Sequence, residues 1–285
     1  MIPARTLLLT ALAMTAFAGN SLLCRIALKH TSLDAASFTA IRLFSGALVL
    51  WLVARRWRSA QSGAGSWPSA LALFAYAAGF SFAYISLPTA TGALLLFGAV
   101  QATMIGYGLW KGERFRRLQL IGLTLAFGGI VGLLLPGLSA PPLAGALLML
   151  GAGVAWGVYS LRGKGAGDPT RVTAGNFLRA VPLALALSLA MLMLKGASLD
   201  AAGVGYAVAS GALTSGLGYA LWYAVLPALK ATTAATVQLS VPVIAALGGI
   251  AFLGEAVTLR LALASVAILG GIALVVLQKR AAPAP

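Results

Sequence analysis

Acidic side chains are nearly missing from this chain: 285 residues hold five Asp and Glu, with one histidine and one cysteine. A lone Cys24 excludes an intrachain disulfide and a cysteine metal cage. His30 and five scattered carboxylates (Asp34, Glu113, Asp168, Asp200, Glu255) form no cluster for hydrolytic or metal chemistry. No catalytic residue, no metal and no cofactor is therefore expected. Charge of either sign is scarce too, at 9% against about 25% in soluble domains. That excludes a water-soluble globular surface.

What is abundant is hydrophobic sequence, 60% of the chain. A membrane span takes roughly 20 apolar residues, and ten runs of that kind lie between charges and turn signals. They fall near 6–24, 36–54, 68–87, 89–110, 117–135, 142–161, 172–194, 203–225, 231–253 and 258–278. Arg5, the first apolar run and Ala16-Phe17-Ala18 mimic a cleavable signal, but the segment has a counterpart later in the chain and is read as span 1. The expected fold is an all-α integral membrane protein of ten transmembrane helices.

The net charge of +15 comes from basic clusters between these runs, so nucleic acid is not an expected partner and the positive-inside rule applies. Fourteen Lys and Arg fall at the termini and in the even-numbered loops, among them Arg55, Arg56, Arg58, Lys111, Arg114 and Arg162. The opposite loops hold four: Arg25, Lys29, Lys195 and Arg260. Both termini are expected in the cytoplasm, with the protein in the inner (plasma) membrane.

The chain also repeats itself. Arg25 and Arg162 are 137 apart, as are Arg42 and Arg179; Tyr84-x-x-Leu87-Pro88 matches Tyr223-x-x-Leu226-Pro227 at 139. Gly112-Glu113 matches Gly254-Glu255, and Gly128-Gly129-Ile130 matches Gly270-Gly271-Ile272, both at 142. The halves, 1–137 and 138–285, hold five spans each. Five is odd, so the second half is inverted, an arrangement found in secondary transporters with a site between the repeats.

On these residues, with the Phe17-Ala18-Gly19-Asn20 and Ala155-Trp156-Gly157 starts and the Gly-Glu after spans 4 and 9, each half resembles an EamA repeat of the drug/metabolite transporter superfamily. The second half, with Gln238-Leu239-Ser240-Val241-Pro242, is the more typical; Val100 stands where the first repeat would carry its proline. The stretch from Ala90 to Gly98 is similar to YddG-type amino-acid exporters. The resemblance implies spans 1, 3, 4, 6, 8 and 9 around a central cavity, with 2, 5, 7 and 10 peripheral. It also implies export of small metabolites, amino acids above all.

Candidate cavity residues follow. Tyr76, Phe80 and Tyr84 share one face of span 3, and Ser215, Tyr219 and Tyr223 share one face of span 8. Such hydroxyl-tipped stripes suit amphipathic solutes, although aromatic stripes also serve as packing. Asn20, Trp156 and Tyr159 come from spans 1 and 6, and Gln101 and Gln238 from spans 4 and 9. An interhelical bond explains Asn20, and a proline kink Gln238, as well as substrate contact does. Arg42 and Arg179 are read as anchors near span ends, and Glu113 and Glu255 as water-accessible partners of Arg114 and Arg260. The glycine pairs of spans 5 and 10 are assigned to close helix packing.

No acid is evident at mid-membrane, which argues against proton antiport through a buried carboxylate. The expected partners are a small-molecule substrate and the lipid bilayer, with the chain a monomer or weak homodimer. Competing readings are a transporter or exchanger of a drug-like amphiphile or nucleotide-sugar, a membrane-embedded enzyme, and a non-transporting scaffold.

Overall fold

The computed structural model describes residues 3–56, 63–112, 116–137, 139–163, 166–196, 198–229 and 231–278. Among these the ordered elements are all helical. They are α1 (Ala4–His30), α2 (Ala35–Arg56), α3 (Trp67–Tyr84), α4 (Thr89–Trp110), α5 (Arg117–Leu134), α6 (Leu143–Gly163) and α7 (Pro169–Lys195). Span 8 is composite: α8 (Ala201–Ala209), a π-helical segment Ser210–Leu217 and α9 (Gly218–Val225). Span 9 is α10 (Ala231–Gln238) followed by α11 (Ser240–Leu253), and α12 (Leu259–Gln278) closes the order.

Among the described residues eight helices are long and apolar enough to cross a membrane. The other two expected spans are α3, diluted by Trp67, Pro68, Ser69, Tyr76 and Ser81, and span 8, whose α-geometry breaks at the π segment. Exposed leucines such as Leu147, Leu194 and Leu263 ring the bundle. In water that surface would be untenable; against lipid it is the ordinary exterior. The chain is an all-α, multi-pass membrane protein.

Carboxylates decide where several helices begin. Asp34 accepts from the Ala36 and Ser37 backbone N–H groups at 3.0 and 2.9 Å, Asp168 from Arg171 at 2.8 Å, and Asp200 from Ala202 at 2.8 Å. Each satisfies amide donors that a helix start leaves without partners.

The helices pair as α2 with α7, α3 and α4 with α6, α1 with α11 and with the π segment and α9, and α5 with α12. With no hydrophobic drive between helices in lipid, close approach of small residues holds such pairs. At the α5–α12 seam a Cβ on Gly271 would lie 2.3 Å from the Gly122 carbonyl oxygen, so the two backbones nearly touch. Gly129 packs on Ala267 and Ile268 there, whereas Gly128 and Gly270 face open space. Only one glycine of each repeated pair therefore serves the packing expected of both.

Candidate functional site

A cavity of about 410 Å³ lies inside the bundle, within the range of about 300–1,000 Å³ typical of small-molecule sites. Its walls come from α1, α3, α4, α6 and spans 8 and 9, and also from α2 (Arg42) and α7 (Val172, Thr173, Asn176). Spans 2 and 7 are thus not merely peripheral, because each packs on the other across the bundle and turns one face inward. No residue of α5 or α12 contributes. The lining reaches Gly163 and Pro169 at one end of the bundle.

Arg42 is the centre of one wall. It is 1% exposed, and its Nη2 donates to the Tyr76 hydroxyl at 3.0 Å while Nε lies 3.4 Å from Ser215 Oγ. Its guanidinium sits 5.2 Å and 4.9 Å from the ring centroids of Tyr76 and Phe80, within cation–π range. Asn20 joins span 1 to the same group: its Nδ2 donates to Tyr76 Oη at 3.3 Å, and its Oδ1 accepts from Ser210 Oγ at 2.7 Å. The side-chain amide thus makes interhelical bonds and lines the cavity at once.

The π segment exists where α2 passes closest. A Cβ on Gly211 would meet Ser45 Oγ at 1.9 Å and the Arg42 carbonyl oxygen at 2.2 Å. Glycine at that crossing lets Arg42 lie beside Ser215. Wide π turns inside α-helices frequently mark functional sites.

An aromatic cluster continues from Tyr76. The Trp156 ring stacks on Tyr219 at 5.4 Å and lies 4.6 Å from Tyr76 and 5.2 Å from Tyr159. Tyr219 in turn stacks on Tyr223 at 6.1 Å. Thr173 Oγ1 donates to Tyr223 Oη at 3.1 Å and accepts from Tyr159 Oη at 3.4 Å, fixing these rings from α7. Gln101 and Gln238 add amides. Pro242 has no N–H for the Gln238 carbonyl, and α10 ends there.

The other end is plugged. Arg25 donates from Nη1 to the Tyr84 and Ile85 carbonyls at 2.8 and 2.9 Å, and its Nε lies 3.5 Å from Glu255 Oε1. Glu255 Oε2 accepts the Thr89 N–H at 2.8 Å, at the first residue of α4. Gly254, left-handed at φ +61° after α11, turns the chain so that this carboxylate reaches back inside. Glu255 is therefore paired with Arg25 and not with Arg260, the partner expected from the sequence, and both members of the ion pair keep about 10% side-chain exposure. Arg260 instead donates to the Leu135 carbonyl. Glu113 and Arg114 lie outside the described residues.

Residues 143–277 match the model of the EamA-like transporter family. The chain is 61% identical over 253 residues to an uncharacterized protein of Pseudomonas aeruginosa, covering 88% of this chain and 87% of that one. It is 32% identical over 167 residues to an uncharacterized transporter of Archaeoglobus fulgidus, covering 56% of this chain and 57% of that one. The second half of the chain belongs to the EamA-like transporter family. A solved structure described only as a crystal structure of a protein shares the fold, with a TM-score of 0.65 at 20% identity over 98% of this chain and 99% of that one. The family match and the Archaeoglobus relative point to a transporter role.

Within this EamA-like bundle, Asn20, Tyr76, Phe80, Gln101, Trp156, Tyr159, Ser215, Tyr219, Tyr223 and Gln238 all line the one cavity. Tyr84 does not. It is fully buried in the plug, its ring against Gly92 and its hydroxyl donating to the Thr89 carbonyl at 3.2 Å. Arg179 is an anchor, donating to the Ala64 and Gly175 carbonyls. Arg42, read as its counterpart, is instead part of the cavity wall. The signal that could have found it was already there: an arginine inside a span with no acid within reach on any neighbouring span.

Proposed function

We propose that this protein exports small amphipathic metabolites, aromatic amino acids among them, across the inner membrane by alternating access between two inverted halves, 1–137 and 138–285. The observation that carries this reading is a cavity walled by both halves, lined by aromatic rings and polar side chains together, with the Arg25–Glu255 pair beyond one end. The helix pairs support the two-fold relation. Exchanging α1 with α6, α3 with span 8 and α4 with span 9 turns the α3–α6 contact into that of span 8 with α1, and α4–α6 into α11–α1.

The basic bias of the loops puts both termini and the Gly163–Pro169 end in the cytoplasm, so the cavity is inward-facing. Export as the direction follows the family resemblance, and the chain acts as a monomer or weak homodimer. The test is uptake of a panel of labelled amino acids into liposomes holding the purified protein, with and without a pH gradient. Saturable, protein-dependent flux of aromatic members is expected. A panel in which nothing moves above protein-free liposomes contradicts the proposal.

A further inference from the structure

Arg42 is a buried cation without a buried anion. Its Nη1 makes no hydrogen bond, although the atom is withdrawn from solvent. Among the described residues that line the cavity Arg42 is the one ionised side chain, and none is acidic. The described carboxylates are all committed elsewhere: Asp34, Asp168 and Asp200 at the starts of α2, α7 and α8, and Glu255 at the start of α4 and on Arg25. A guanidinium cannot shed its charge by losing a proton, and a lone charge in a low-dielectric interior is costly. Tyr76, Phe80 and Ser215 offset part of that cost through a ring face or an oxygen, but none supplies a negative charge.

We infer that Arg42 is the binding point for the carboxylate of the transported solute. The inference rests on the transport reading above and names the chemistry of its site. A carboxylate at Nη1 would satisfy the orphaned donor and neutralise the charge in one contact. The solute's apolar part would then face Trp156 and Tyr219. An ammonium, where the solute has one, has only ring faces and neutral oxygens to meet, so the carboxylate is required and the amine is not. Arg179, at the equivalent place in the other half, is tied to two backbone carbonyls and does not line the cavity.

The test uses four probes that share one ring: 3-phenylpropanoate, L-phenylalanine, 3-phenylpropanamide and phenethylamine. Each is measured for thermal stabilisation of the purified full-length protein in detergent and for flux into liposomes. The two carboxylates are expected to bind and move, the amide and the amine not. Arg42→Gln should weaken carboxylate binding about 10- to 100-fold, the worth of one charge-assisted hydrogen bond, and Arg42→Lys should restore part of it. If Arg42→Gln does not fold, the acid-against-amide comparison on the unaltered protein decides alone. Equal binding of acid and amide, or retention of carboxylate selectivity in Arg42→Gln, overturns the assignment while leaving the transport reading intact. If none of the four binds or moves, both fall.

Discussion

Arg25 Nε lies 3.5 Å from Glu255 Oε1, joining the far end of α1 to the loop after α11. The pair does more than match charges. Arg25 holds the end of α3 through two carbonyls and Glu255 holds the start of α4 through an amide, so one contact ties four elements over the cavity. Removing either member leaves the other's charge inside the plug, which is why a buried pair resists being broken more than it adds to stability.

Glu255→Ala should therefore open the plug. The readout is a cysteine at Ser21, which lines the cavity, in a Cys24→Ala background. A membrane-impermeant thiol reagent should reach it from the Gly163–Pro169 side alone in the latched protein, and from both sides in the variant. Unchanged one-sided labelling would mean that the pair is not the latch.

Trp156 and Tyr84 should separate transport from stability. Trp156 is only partly buried on the cavity wall, so Trp156→Ala should reduce flux with little loss of melting temperature. Tyr84 is fully buried, and Tyr84→Ala should cost about 3–5 kcal/mol, the usual price of deleting a large core ring. Parallel loss of expression and transport in both variants would place Trp156 in the core instead.

Neighbouring glycines offer a sharper contrast. Gly271→Ala would drive a methyl to 2.3 Å from the Gly122 carbonyl oxygen and should destabilise the α5–α12 seam by about 1–3 kcal/mol. Gly270→Ala meets nothing within 4 Å and should be neutral or slightly stabilising, since alanine is the better helix former. Detergent melting curves of the two single variants check this. Equal effects would contradict the seam.

Asp200, just outside span 8, gives a pH signature. Desolvation alone would raise its pKa, but hydrogen bonds from the Ser32, Ala202 and Gly203 backbone N–H groups and from Thr31 prevail, holding the carboxyl below its ordinary range. A carboxylate with a depressed folded-state pKa contributes stability above its unfolded-state pKa and loses it as pH falls through the folded value. Acid melting curves of the unaltered protein should therefore fall more steeply below the ordinary carboxylate range than those of Asp200→Asn. Superimposable acid limbs would contradict the prediction.

Most helix positions could be read from apolar runs and charges, because a span is a simple length requirement. The interior of span 8 could not. Its π turn answers the approach of α2 at Gly211, a tertiary contact with no local signature. Spacing of four residues shows which side chains share a helix face, and it gathered Tyr76, Phe80 and Tyr84 correctly on one face of α3. It does not give depth: Tyr84 lies eight residues on, about 12 Å along the axis, beyond the cavity and in the plug. Glu255 was misjudged for a similar reason. Nearby Arg260 looked like its partner, whereas Gly254 turns the carboxylate towards Arg25, far away in sequence.

The central claim is a carrier whose cycle is moved by the solute, since every described carboxylate is tied to a helix start or to Arg25 and none lines the cavity. Its most direct test is exchange in liposomes preloaded with unlabelled L-phenylalanine, following entry of the labelled compound with no pH gradient imposed. An alternating-access facilitator predicts that preloading accelerates entry and that a proton gradient alone drives no accumulation. Entry indifferent to preloading, or accumulation driven by the proton gradient alone, would contradict the account.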